Sequence, residues 1–139
     1  MLENDRQNER ATCLCGAVII VVKGEPINSR FCHCRLCQKT MGSPSFVRAL
    51  FEQSNVEITG PIKAFPSSPE LDRLFCQECG TSVAAWRKNG SVAAIALALF
   101  DNVDAFPPTE HTWVSERICL NNSTDELIEF PEGAPNTRA

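Results

Sequence analysis

At 139 residues, with 43% hydrophobic and 22% charged side chains, the chain has the size and composition of one soluble domain with its own core. A net charge of −4 argues against a surface that gathers nucleic acid or anionic lipid. The polar opening MLENDRQNER is not a secretory signal, and the longest apolar run, Val92 to Phe100, is too short to cross a bilayer. The expected location is the cytoplasm.

Residues 1–10 are expected to form a mobile N-terminal tail, 11–130 a single domain, and 131–139 (PEGAPNTRA) a mobile C-terminal tail. Strand signals dominate between the tails. Ala17 to Lys23 (AVIIVVK) is rich in β-branched residues and stops at the turn signal Gly24-Glu25-Pro26. The segment Arg35 to Met41 reads as a short helix closed by Gly42. Ser45 to Glu52 and Val56 to Thr59 flank Gln53-Ser54-Asn55, which predicts a hairpin. Ile62 to Phe65, Leu71 to Phe75, Ser82 to Arg87 and Val92 to Leu99 follow as short strands. Lys88-Asn89-Gly90 is a tight-turn signal, because Asn-Gly accepts the positive φ angles of such a turn. The expected class is mainly β, with one short helix.

Eight cysteines are many for such a chain, and seven fall into CxC, CxCxxC and CxxC groups. Inert core thiols are not clustered, and disulfide-dense domains are usually small, secreted and poor in core residues. Metal binding is the expected use. Cys13-Leu14-Cys15-Gly16 and Cys76-Gln77-Glu78-Cys79-Gly80 are two chelating turns, each followed by glycine. Together they make a closed four-thiolate site of the kind zinc occupies structurally. Cys32, Cys34 and Cys37 remain, in the string RFCHCRLCQK. Three thiolates leave a fourth zinc position open, as catalytic zinc sites do. A zinc ion with three thiolates activates water weakly and suits an incoming thiol, which it would hold as thiolate.

Arg30, Arg35 and Lys39 surround this group on an otherwise acidic chain and would attract an anionic thiol, or simply balance the thiolates. His33 lies between two ligands and is expected to be exposed or hydrogen-bonded rather than a ligand. Cys119 is either a small buried hydrophobe or a fourth ligand that would make the second site structural as well.

The motifs CxCG, FCHCRLCQKTMGSP, SSPELDRLFCQECGTSV and ALFDNVDAFPPTEHTWVSER resemble, in order and spacing, the glutathione-dependent formaldehyde-activating enzymes. The resemblance runs from about Cys13 to Arg117. It implies a β-tent of layered antiparallel sheets, a structural zinc on Cys13, Cys15, Cys76 and Cys79, and a catalytic zinc on Cys32, Cys34 and Cys37. It implies a carbon–sulfur lyase that adds glutathione to formaldehyde, giving S-hydroxymethylglutathione. His111 matches a histidine common in the family and would donate a proton or line the pocket, with packing beside Trp113 as the alternative. Ser67 and Ser68 match a family turn. Two positions depart from the pattern: Cys119 stands near a usual tryptophan, and Arg48 puts a charge into a usually apolar or aromatic strand.

Two other classes compete. Arg117-Ile118-Cys119-Leu120-Asn121-Asn122 resembles the catalytic stretch of B-type methionine sulfoxide reductases, with Cys119 as nucleophile, but lacks their histidine-rich segment. A non-catalytic interaction module with two structural zincs is the other; the absence of an aromatic–basic stripe argues against nucleic acid as its partner.

Overall fold

The computed structural model describes residues 8–119 and 125–136. Eleven short strands form two sheets among these residues. The small antiparallel sheet has the order β1 (Glu9–Thr12), β2 (Ile19–Val22), β5 (Val56–Thr59). The large sheet contains β3 (Asn28–Cys32), β4 (Phe46–Glu52), β6 (Ile62–Ser68), β7 (Leu71–Cys76), β8 (Ser82–Arg87), β9 (Val92–Ala96), β10 (Glu110–Thr112) and β11 (Ile128–Glu129). Its order is β11-β10-β3-β4-β9-β8-β7-β6. Strands β4, β9, β8 and β7 run antiparallel, whereas β10 lies parallel to both β3 and β11. One helix, α1 (Arg35–Met41), links β3 to β4. The mainly β, layered architecture expected from the sequence is what the chain adopts.

Alternation along the large sheet gives its two faces different work. Ala49, Phe51, Val83, Ala93 and Ile95 pack in one core with Val18, Ile20 and Val22 of the small sheet. Phe51 and Phe100 each meet Phe106 edge-on, at ring separations of 5.4 and 5.2 Å. Phe46, Leu50, Ala85, Ala94 and Ala96 turn the other way and cluster with Cys37. The Asn89-Gly90 signal does close the β8–β9 hairpin, with Gly90 at φ 82° and its N–H donating to Arg87 O at 3.2 Å.

The predicted hairpin between Ser45–Glu52 and Val56–Thr59 does not form. β4 pairs with β3 and β9, and β5 pairs with β2 in the other sheet. Gln53–Asn55 is a 3-10 turn that carries the chain between layers, because the two strands bury their apolar sides in different places. Leu97–Leu99, expected as strand, is likewise a 3-10 turn. Strand β1 takes in Glu9 and Arg10, at the end of the expected N-terminal tail; pairing with Val22 and Val21 orders them. Residues 131–136 are also held, since Trp113 N–H donates to Glu132 O at 2.9 Å and Ser115 N–H to Pro131 O at 2.9 Å. Met1 to Gln7 and residues 137–139 lie outside the described residues.

Candidate metal centres and cavity

The turns leaving β1 and β7 bring Cys13, Cys15, Cys76 and Cys79 together, with sulfurs all within 4.8 Å of one another. Cys13 Sγ lies 3.6 Å from Cys15 Sγ, which lies 3.8 Å from Cys76 Sγ. Tetrahedral bonds of ~2.3 Å to one ion would set sulfurs about 3.8 Å apart. Gly16 at φ 83° and Gly80 at φ 78° take the left-handed conformation that closes each turn. Backbone donors follow: Val18 N–H points at Cys13 Sγ at 3.3 Å, and Cys79 N–H at Cys76 Sγ at 3.5 Å. Thr81 joins the two turns. It accepts from Leu14 N–H at 3.1 Å, lies 3.1 Å from Cys79 Sγ, and draws the Cys79 pKa down to about 5. Cys13 and Cys76 are buried in the main core, so this four-sulfur site is part of the packing.

Cys32 ends β3, Cys34 caps α1 and Cys37 lies in its first turn; their sulfurs also fall within 4.8 Å of one another. Cys34 Sγ accepts from Cys37 N–H at 3.3 Å, and Cys32 and Cys37 sulfurs are 3.3 Å apart. The Cys34 and Cys37 thiols pull the Cys32 pKa down to about 2. Among the described residues no fourth His, Cys, Asp or Glu joins the three. Cys119 is exposed and belongs to neither group, and Leu120–Asn122 of the reductase-like stretch lie outside the described residues. Both sulfur sets have the chemistry and spacing to hold a metal ion.

The three-sulfur group opens onto a cavity of about 490 Å³. Its wall carries four arginines, Arg35, Arg48, Arg73 and Arg87, against one carboxylate, Glu116. Arg73 is buried and sits 3.7 and 3.8 Å from Cys37 Sγ through its two Nη atoms, while its Nε donates to Ser67 Oγ at 3.1 Å. Burial, then the neighbouring Arg30 charge, lowers the Arg48 pKa to about 10, which leaves it cationic at neutral pH. Glu116 Oε1 accepts from Arg35 N–H at 2.7 Å and so tethers the start of α1. Trp113 faces the cavity with φ 57°, a strained conformation for an aromatic residue, fixed by its bond to Glu132.

The basic residues singled out from the sequence part company. Arg35 lines the cavity, but Arg30 does not. Arg30 is buried, pairs with Glu110, and donates to Pro135 O and to Asn136 Oδ1, the last at 2.7 Å. Lys39 is exposed beside a separate depression with Leu36 and Phe65. His111 is absent from the cavity wall; it is buried, stacks on Phe31 at 4.4 Å, and bonds through Nδ1 to His33 Nε2 at 2.9 Å. Its Nε2 faces Asp125 Oδ2 at 3.0 Å. With Nε2–H donating to that carboxylate, Nδ1 is the free lone pair that accepts from His33 Nε2–H. His33 is buried and hydrogen-bonded, and burial, followed by the Arg117 charge, lowers its pKa. Sequence reasoning missed Arg73 and Arg87 and read Arg48 only as a departure. The available signal was alternation: Leu71, Arg73, Ala85 and Arg87 fall on one face of paired strands.

The profile of the glutathione-dependent formaldehyde-activating enzymes matches residues 8–116. An uncharacterized lyase of Schizosaccharomyces pombe is 25% identical over 113 residues, covering 81% of this chain and 79% of that protein. A crystal structure of a Rhodobacter sphaeroides protein shares the fold, with a TM-score of 0.57 and 23% identity over 69% of this chain and 91% of that one. With the family match running through both cysteine groups, the chain belongs to the glutathione-dependent formaldehyde-activating enzyme family.

Proposed function

We propose that the protein is a zinc-dependent carbon–sulfur lyase-type enzyme that joins a thiol, glutathione or a close relative, to formaldehyde or another small aldehyde. The observation that carries this reading is the opening of a three-sulfur group onto an arginine-lined cavity. Family membership and the lyase-named relative support a lyase-type activity. Eight unpaired cysteines fit a reducing compartment, the cytoplasm, and no described helix is long and apolar enough to cross a membrane.

Cys13, Cys15, Cys76 and Cys79 would hold a structural zinc, and Cys32, Cys34 and Cys37 a second ion. Bound there, that ion supplies a soft acceptor that keeps a substrate thiol in its nucleophilic, deprotonated form. Arg35, Arg48 and Arg87 draw in the carboxylates of the thiol. Arg73 spreads the charge on the Cys37 sulfur and keeps the trio from repelling an anionic substrate. Phe46, Leu50 and Trp113 keep water from the reacting atoms. The thiol sulfur forms the new bond to the aldehyde carbon, and the C=O π pair moves to oxygen. The proton that left the thiol returns to that oxygen, so the product is the S-hydroxyalkyl adduct. His111 reaches this site through His33 and acts on the position of the Cys32–Cys37 loop.

Anaerobically purified protein should carry two zincs and accelerate the glutathione–formaldehyde adduct seen by NMR. Cys34→Ser should lower kcat by about 100-fold or more with the fold kept, whereas Cys79→Ser should lose the fold. No acceleration by zinc-loaded protein, or equal damage from both substitutions, would make this a non-catalytic module with two structural sites.

A further inference from the structure

The floor of the cavity contains more apolar surface than a one-carbon aldehyde can use. Strand register lays it out. Leu50 of β4 faces Ala94 of β9, Ala94 also faces Ala85 of β8, and Ala85 faces Arg73 of β7. Val92 and Leu71 extend this floor, and Arg48 and Arg87 stand on its wall. Toward the cavity, β8 and β9 present Ala85, Ala94 and Val92, with the larger Val83 and Ile95 turned into the core beside Ala84 and Ala93. Strands favour β-branched residues, and the small Ala85 and Ala94 side by side at the centre of the cavity floor leave room where two larger side chains would fill it. Two strand spacings, about 10 Å between backbones, separate β4 from β8 across this floor. Ala85 and Ala94 are each 7% exposed and meet the cavity beside Leu50 and Phe46, so the floor there is apolar.

The arginines are accounted for by the carboxylates of an anionic thiol; the alanine trough is not. Formaldehyde offers one carbon and no apolar body. We propose that the preferred electrophile is an aldehyde bearing an unbranched apolar chain of several carbons, seated on the Leu50–Ala94–Ala85 floor, with Ala94 and Ala85 setting the chain length accepted. This rests on the thiol–aldehyde reading above. The step is the same addition: sulfur bonds to the carbonyl carbon, the π pair goes to oxygen, and the thiol proton ends there, giving a hemithioacetal with the alkyl group retained.

The test uses the zinc-loaded full chain, glutathione at fixed concentration, and formaldehyde, propanal, butanal and hexanal. Each kcat/KM is divided by the uncatalysed rate constant for that aldehyde. The normalised values should climb about four-fold per added methylene until the trough is full. Ala94→Leu should cut the hexanal-to-formaldehyde ratio by about 10-fold or more, and Ala85→Leu, from the neighbouring strand, should do the same. Zinc content and Tm are measured on each variant. Ala94→Val replaces either one that loses metal, with a smaller drop in the same direction. Normalised values that are flat or fall with chain length overturn the proposal, as does an Ala94 variant that slows every aldehyde equally. Turnover of formaldehyde alone overturns this inference and leaves the thiol–aldehyde reading standing; turnover of no aldehyde overturns both.

Discussion

Arg73 is 7% exposed, and both of its Nη atoms point at Cys37 Sγ. A buried guanidinium needs acceptors, and it finds a thiol sulfur and the Ser67 hydroxyl. The sequence shows Arg73 as one charge in a strand. Its role arises because β7 pairs with β8 in a register that brings it beneath α1, a long-range fact that no local pattern contains. The cysteine groups are closer to the surface of the string: within each turn the short spacing brings two or three sulfurs near one another, and the fold adds only the meeting of the Cys13–Cys15 and Cys76–Cys79 turns. Arg30, Arg35 and Lys39 look like one cluster in the string, but extended backbone before Cys34 and helix after it send them to three environments. On the proposed function, Arg73→Met should therefore weaken metal retention at the three-sulfur site about 10–100-fold in chelator competition and raise KM for the thiol. Arg73→Lys, which keeps charge without the two-pronged contact, should fall between.

At the level of elements, the pairing of β3 with β10 decides how the second cysteine group is held. β10 lies parallel to β3 with Thr112 opposite Cys32 and His111 opposite Phe31. His33 N–H donates to Thr112 O at 3.0 Å, and Gln38 Nε2 donates to His33 O at 2.6 Å. The stretch between Cys32 and Cys34 is thus fastened from β10 and from α1. Three-residue β10 and two-residue β11 are too short for alternation to show their bounds or pairing. β3 was missed because its residues, NSRFC, are mostly polar and gain burial only from β4 and β10. The helix and the long strands were readable from their turn residues and β-branched runs. His111→Ala removes the ring nitrogen that His33 Nε2 meets at 2.9 Å. It should cost about 1–3 kcal/mol in urea unfolding, with Asp125→Ala costing less because that carboxylate is partly exposed.

Across the whole molecule, the four-sulfur site joins turns that are distant in sequence: Cys15 and Cys76 are 61 residues apart. A metal there closes a loop that the unfolded chain would otherwise leave open, a constraint worth about 4 kcal/mol by the entropy of closing such a loop. Strong chelator should therefore lower Tm steeply and in a single transition. Chelator weak enough to spare that site should abolish activity with little change in Tm. The parallel placement of β10 beside β3 has a further consequence in time. His111 is made 78 residues after His33. A ribosome adding about 5–20 residues per second leaves the three thiols beside His33 without their β10 scaffold for several seconds. During that interval Cys32, Cys34 and Cys37 are a naked nascent chelator, open to oxidants and to any thiophilic ion. Its protection then belongs to the reducing milieu around the ribosome, not to the fold.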